Sequence, residues 1–397
     1  MKILQISQKS LFPPMDGGKL AMKNLADGLR NAQIEVHQFM LGTPGHPIPA
    51  DIPKGYPFSV LTENLDTQVR AIGALLNLVS SNASYNLARF RSESIAQTLL
   101  KRIKAERYDI VQAESIFALE LIYPVLDKIK CPVVLRAHNV EHLIWERLAH
   151  NSSNPIKRLY LSAMSARLKR EETQRINAVS GLIAISSCDL DVFKKLGLHV
   201  PAEVIGIAQP FPRRGEIKSN DSIHHLFHIG AMDWQPNQEA IDWFLKDVWP
   251  TILQAFPETS FAFAGKSMPN RYKKLNMSSV EVKDAPDAMA FMQNHGIMVV
   301  PLLSGGGIRV KIIEALSLGK IILTTSCGLE GIPAEHGKHL FICNQPADFV
   351  AVLRQLNDNP ALSAEVSENA ITFARDHFDP EILTNRLISF YKTLISA

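Results

Sequence analysis

The chain has no apolar run approaching the ~20 residues that cross a bilayer, so no membrane span is expected. Its four cysteines, Cys131, Cys188, Cys327 and Cys343, lie far apart and form no Cys-x-x-Cys pair. That argues against a zinc site or a disulfide framework and for a reducing compartment. A net charge of +3 is too small to imply nucleic-acid binding. The stretch from Met1 to Lys9 carries Gln5, Ser7 and Gln8 and so lacks the apolar core of a signal peptide. No repeat at a solenoid period and no low-complexity tract is present. These absences lead us to expect a soluble, cytoplasmic protein.

What the chain does contain is a composition of 46% hydrophobic and 20% charged residues over 397 positions, enough for two folded domains. Short apolar runs alternate with amphipathic helical patterns from end to end, which argues for parallel sheets covered by helices on both faces. Strands are expected in the first half at Lys2–Ser7, Ile34–Leu41, Tyr108–Gln112, Val133–Ala137 and Gly181–Ser186. In the second half they are expected at His225–Ile229, Ser260–Ala264, Val280–Lys283, Ile297–Pro301, Ile321–Thr325 and Leu340–Cys343. The expected architecture is α/β, with two doubly wound Rossmann-like domains facing a central cleft. Residues 1–206 would form the first domain, 207–222 a linker and 223–378 the second domain. Residues 379–397 would form a helix that packs back on the first domain. The linker assignment rests on Pro210, Pro212, Arg213, Arg214 and Gly215, which sit amid little apolar periodicity.

The most informative stretch runs from Ser304 through Gly305, Gly306, Gly307, Ile308, Arg309, Val310 and Lys311 to Glu314. It follows the apolar run Ile297–Leu303 and opens a helix with the stripe Ile308, Ile312, Ala315 and Leu316. Three glycines at a strand-to-helix junction let backbone N–H groups approach a ligand, and the helix start adds positive potential. Arg309 and Lys311 put two cations in the first turn, where cations are normally disfavoured, so a bound diphosphate would account for them. Lys311 and Glu314 are expected as edge neighbours. The plainer reading is a Gly-rich turn with an exposed Lys–Glu pair.

In the first half, Phe12-Pro13-Pro14-Met15-Asp16-Gly17-Gly18 follows the first strand. It is neither Gly-x-Gly-x-x-Gly nor a P-loop, and reads either as a substrate-approaching turn or as a tight structural one. His138-Asn139-Val140-Glu141-His142 follows the strand Val133–Ala137. A histidine there can donate a hydrogen bond to a sugar hydroxyl or a leaving phosphate. The same residues match His-x-x-Glu-His, a zinc-peptidase signature that needs both histidines on one helix. A third reading is structural. Asp189-Leu190-Asp191 is a formal Asp-x-Asp metal motif, but behind the expected cap Ser187 it reads better as helix-dipole stabilisation. The segment Asn154–Glu172 carries Lys157, Arg158, Arg167, Lys169 and Arg170, which suit a solvated face or an anionic membrane surface.

Together these features resemble the retaining glycosyltransferases of GT-B fold, the large fourth family of nucleotide-sugar-dependent enzymes. The likeness covers nearly the whole chain. Its most specific block is Gly307–Leu316 with Gly319-Lys320, Thr324-Thr325, Gly328 and Glu330-Gly331. The stretch from Phe227 through Gly230 to Asn237 looks like the start of the donor domain in one subgroup. The resemblance implies transfer of a sugar from a nucleotide diphosphate sugar to a glycan, lipid-linked or small-molecule acceptor, with retention of configuration. Family habit points to polysaccharide or lipid-linked glycan assembly, and with Arg309 and Lys311 available to neutralise a diphosphate no metal cofactor is expected. His138, Arg309, Lys311 and Glu314 would be catalytic, with Gly17, Gly18, Gly230, Gly305, Gly306, Gly307 and Ile308 lining the donor site. Two departures stand out: Gly306 occupies the place of the first glutamate in the family's Glu-x7-Glu pair. Met232, Asp233 and Gln235 fall where an Arg and a Lys-Gly are common. The alternatives are a non-catalytic nucleotide-binding module and a sugar-nucleotide epimerase or phosphorylase on the same fold.

Overall fold

The computed structural model describes residues 1–14, 17–53, 55–70, 73, 76–77, 81, 83–211, 224–283, 285 and 287–397. The chain divides into two compact units, 1–208 with 380–397 and 209–379.

The first unit is built on β1 (Lys2–Ser7), α1 (Gly17–Asn31), β2 (Glu35–Gly42), β3 (Ser59–Asn64), α2 (Glu93–Glu106) and β4 (Ile110–Ala113). It continues through β5 (Val133–Ala137), α3 (Glu141–His150), α4 (Pro155–Ile176), β6 (Gly181–Ala184), α5 (Ser187–Lys195) and β7 (Ala202–Val204). The seven strands are parallel in the order β3-β2-β1-β4-β5-β6-β7. Central strands are buried on both faces, which is why β4, β5 and β6 read as apolar runs rather than alternations. The half-exposed edge strands β3 and β7 were not expected, because Ser59–Asn64 and Ala202–Val204 have no apolar run to mark them. Chain order reverses between β1 and β4, the place where open parallel sheets receive ligands.

The second unit contains β8 (His225–Ile229), α6 (Gln235–Trp243), β9 (Ser260–Ala264), β10 (Val280–Lys283), β11 (Ile297–Val300) and α7 (Val310–Ser317). After these come β12 (Ile322–Thr324), β13 (Phe341–Ile342), α8 (Pro346–Asp358) and α9 (Pro360–Phe378). Its six parallel strands run β10-β9-β8-β11-β12-β13, with the reversal between β8 and β11. Its own core gathers Leu226, Phe244, Trp249, Phe261, Phe263, Val299 and Leu323.

The last helix, α10 (Pro380–Ser396), belongs to the first unit. Leu383, Leu387, Phe390, Tyr391 and Leu394 repeat at helical spacing and pack on Ile3, Leu25, Leu29, Ile110 and Ile183. Burial of such side chains contributes about 1.5–3 kcal/mol each. Close approach of α1 requires a bare backbone, since a Cβ on Gly28 would lie 2.2 Å from Thr384 Oγ1. The boundaries differ from the sequence expectation at both junctions, with Asp379 in the second unit and the last helix starting at Pro380. Ile207 and Ala208 are buried, so the first unit extends beyond 206, while the linker positions 212–222 lie outside the described residues.

Candidate active site

The loop after β11 lies at the reversal point of the second sheet. Gly305 and Gly307 adopt φ of 117° and 77°, a region open to glycine and strained for other residues. A Cβ on Gly305 would stand 2.9 Å from the Trp234 ring and 3.1 Å from Arg309 Nη2. Arg309 is the N-cap residue of α7 rather than part of its first turn, and Ile308 precedes the helix and is half-buried. The helix instead buries Ile312, Ile313, Ala315 and Leu316. Arg309 is buried, lies 5.4 Å from the Trp234 ring centre and donates from Nη1 to the carbonyls of Gly306 and Gly307. The guanidinium thereby fixes the glycine loop from inside. No side chain caps the start of α7, and an uncapped helix start is the kind of end that can receive an anion.

Lys311 does not meet Glu314. Its Nζ turns toward β8 and α6, 3.0 Å from Asn237 Oδ1 and 3.2 Å from His228 Nε2. The expected Lys–Glu pair fails because the ammonium is drawn inward. Burial, with the Arg309 charge beside it, lowers the Lys311 pKa to about 7. His228 is fully buried and its Nδ1 donates to Val299 O at 2.7 Å. Burial and the neighbouring Lys311 hold its pKa well below the ordinary histidine value, so it is neutral. Gly230 closes the group, since a Cβ there would lie 2.7 Å from Asn237 Nδ2 and 2.9 Å from Lys311 Nζ. Glu314, one turn along α7, is half-buried, and burial alone raises its pKa. Thr324 and Thr325 brace the loop by donating to the carbonyls of Val300 and Leu302. Lys320 is structural, donating to His295 O at 2.7 Å.

In the first unit, β5 ends at Ala137 and α3 begins at Glu141, so His138 and His142 do not share a helix. His138 Nε2 lies 2.8 Å from Glu114 Oε2, while His142 Nδ1 lies 2.6 Å from Glu172 Oε2. The two imidazoles serve different carboxylates, which removes the geometry of the zinc-peptidase signature. Glu114 is fully buried and also receives Arg136 Nη1 at 3.1 Å and the side-chain amides of Gln5 and Gln112, each at 2.6 Å. Burial alone would raise its pKa; Arg136 and the His138 hydrogen bond outweigh it and bring the carboxyl to about 2. Burial lowers the His138 pKa despite Glu114, so its neutral form spends Nε2–H on Glu114 and presents Nδ1 as an acceptor. The expectation that His138 donates to its ligand is therefore reversed for the neutral ring. Glu141 is pushed up to about 7 by burial and by Glu172.

Gly17 and Gly18 are the first two residues of α1, and Met15 and Asp16 before them lie outside the described residues. Asp189 takes part in the cap of α5. Ser186, not Ser187, caps α5 by accepting from Asp189 N at 3.0 Å, and its Oγ lies 2.7 Å from Asp189 Oδ2. The fold thus gathers Gly230, Gly305, Gly306, Gly307, Arg309 and Lys311 at one sheet end of the second unit. His138, Gly17 and Gly18 belong to the first unit. Sequence reasoning missed Asn237, His228 and Glu114. The available signal was a polar residue inside or just after an otherwise apolar buried strand, as His228 is in β8 and Glu114 is after β4.

Comparison with known proteins places these features in a family. Residues 15–206 match the family described as Glycosyltransferase Family 4, and residues 223–359 match Glycosyl transferases group 1. An "Uncharacterized 44.6 kDa protein in cps region" of Klebsiella pneumoniae is 23% identical over 298 residues, covering 72% of this chain and 74% of that one. HepE of Anabaena in complex with UDP has a TM-score of 0.66 at 16% identity, covering 99% of this chain and all of that one. Sucrose-phosphate synthase from Thermosynechococcus elongatus has a TM-score of 0.69 at 12% identity, with both chains fully covered.

Proposed function

We propose that this chain, which belongs to the GT-B glycosyltransferases of family 4 and group 1 type, moves a sugar from a nucleotide diphosphate sugar to a glycan, lipid-linked or small-molecule acceptor with retention at the anomeric carbon. The observation that carries the reading is the inward-turned Lys311 ammonium, placed beside Arg309 and a bare glycine loop at the β8/β11 reversal. As the bond from the anomeric carbon to the phosphate oxygen breaks, negative charge grows on the leaving diphosphate. Arg309, Lys311 and the amides of Gly306 and Gly307 are preorganised to receive it. Glu314 accepts hydrogen bonds from the donor's ribose. The Nδ1 of His138 accepts one from a hydroxyl of the transferred sugar, the role its lowered pKa favours over phosphate binding. Gly17 and Gly18 bring backbone toward the donor. No carboxylate nucleophile is assigned: the acceptor oxygen attacks on the face the leaving group departs, and the leaving phosphate takes its proton. Two protein cations neutralise the diphosphate, so no metal takes part.

UDP and its sugars are the first donors to test, because UDP is the ligand in the HepE complex. Thermal-shift screening against UDP, ADP, GDP and their sugars identifies the base. With the active donor, Lys311→Ala or Arg309→Ala should each lower turnover by about 100-fold or more, and EDTA should leave it unchanged. His138→Ala should reduce transfer more than nucleoside diphosphate binding. Full activity in both cation variants would sink the assignment. The Gly306 departure favours a second reading, a non-catalytic nucleotide-binding module; it predicts nucleotide binding with no donor hydrolysis.

Peripheral membrane contact is the part of the proposal that rests on α4. Ile156 and Leu159 are 80% and 74% exposed beside Lys157 and Arg158, an apolar and basic combination suited to an anionic lipid surface. Among the described residues no helix is long and apolar enough to cross a membrane. Co-sedimentation with phosphatidylglycerol vesicles should occur and should be abolished by Ile156→Glu with Leu159→Glu.

A further inference from the structure

We propose that His228 and Asn237 are positioning residues for Lys311, offering it two uncharged acceptors so that the ammonium gains a counter-charge only from the ligand's phosphate oxygens. This rests on the reading of Lys311 as a diphosphate-binding group. The geometry fixes each partner separately. His228 is locked by its Nδ1–H donated to Val299 O, which turns the Nε2 lone pair to Lys311. Asn237 is locked by its Nδ2 donated to Ala231 O at 2.8 Å, which turns Oδ1 the same way. An ammonium has three donors, so these two acceptors leave one for a ligand. Gly230 supplies the space in which the Asn237 amide and the Lys311 Nζ meet.

The charged groups around Lys311 are few. Arg309, from its own segment, repels it, and the neutral His228 faces it from β8. On α6, Glu239 is engaged by Ser304 Oγ at 2.8 Å and Gln235 at 3.4 Å. Glu314, on the next turn of α7, makes no ion pair with it. Among the described residues no carboxylate comes within 4.0 Å of Nζ. A carboxylate partner would hold the lysine charged at all times and would compete with the incoming anion. Uncharged acceptors orient the amine without that competition. Arrival of a diphosphate then draws a proton onto Lys311, coupling donor binding to proton uptake and making it weaken as pH rises.

The test is calorimetric titration of the full chain with UDP, and with inorganic pyrophosphate as a base-free probe, at pH 8 in buffers of different ionisation enthalpy. Wild type should take up roughly one proton per ligand. Asn237→Asp, which supplies the missing carboxylate, should abolish most of that uptake and weaken pyrophosphate binding about tenfold or more at pH 7. His228→Leu should weaken binding by a similar factor, and His228→Gln, which restores an acceptor, should recover part of it. Melting temperatures of the variants separate these effects from misfolding. Binding by wild type without proton uptake overturns the proposal whatever the variants do, as does unchanged uptake in a folded Asn237→Asp. A Lys311→Met variant that binds both probes like wild type instead overturns the underlying diphosphate assignment.

Discussion

At the scale of single residues, the site is governed by what surrounds a charge rather than by the charge itself. Lys311 and Lys320 lie nine positions apart in the matched block. One is turned to two neutral acceptors, and the other is sealed onto the carbonyl of His295. Because Lys311 has a pKa near 7 in the folded chain and 10.5 when unperturbed, the unfolded chain holds the extra proton between those values. Stability therefore rises with pH across that window. We expect the ligand-free protein to gain stability from pH 7 to pH 9 relative to Lys311→Met, measured by urea unfolding of both proteins. Parallel curves would mean that the lysine is not destabilised by its surroundings. The glycine loop and its two cations were legible from type and spacing alone. The direction of the Lys311 side chain was not, since helix periodicity pairs it with Glu314 and burial sends it elsewhere.

Among elements, α10 does the least expected chemistry. Its apolar stripe explains why it docks on α1, but one of its inward residues is Tyr391, whose hydroxyl pairs with Gln112 Oε1. Gln112 in turn donates to Glu114, the carboxylate that holds His138. The row extends across the sheet: Gln5 pairs in register with Gln112 on one side and Gln38 on the other, and Gln38 Nε2 donates to Gln5 Oε1 at 2.7 Å. Each link is a buried polar group that would cost about 1–3 kcal/mol if left unsatisfied. Tyr391→Phe removes one of them and should lower stability by about 1 kcal/mol. It should also shift the pH dependence of sugar transfer, because Gln112 orients Glu114, and the Glu114 hydrogen bond opposes the lowering of the His138 pKa by burial. A variant with unchanged pH profile would show the helix to be a packing element alone. Strands with apolar runs were readable to within a residue or two, while the edge strands β3 and β7 were invisible for lack of such runs.

For the whole molecule, each unit has its own core, and the residues proposed to hold the diphosphate charge, Arg309, Lys311, Gly306 and Gly307, all belong to one of them. A fragment spanning 209–379 should therefore fold alone and bind UDP, if UDP is the donor nucleotide, with affinity close to that of the full chain. Circular dichroism and calorimetry check both points; a folded fragment without affinity would mean the first unit completes the site. The complementary fragment 1–208 lacks α10 and exposes Leu25, Leu29 and Ile183, so it should be insoluble unless 380–397 is supplied. The return of α10 is what makes the two fragments behave differently.

Local pattern along the chain determined the alternation of strand and helix, the two-sheet architecture, the glycine junction before α7 and the histidine at the end of β5. Each depends on neighbours a few positions away, where periodicity and turn chemistry act. Tertiary structure alone decided which partners these residues meet. The acceptors of Lys311 come from 83 and 74 positions distant, the carboxylate of His138 from 24, and the hydroxyl that anchors Gln112 from 279. Parallel strands joined by long crossovers bring such distant positions side by side, and no spacing rule in one dimension encodes that meeting.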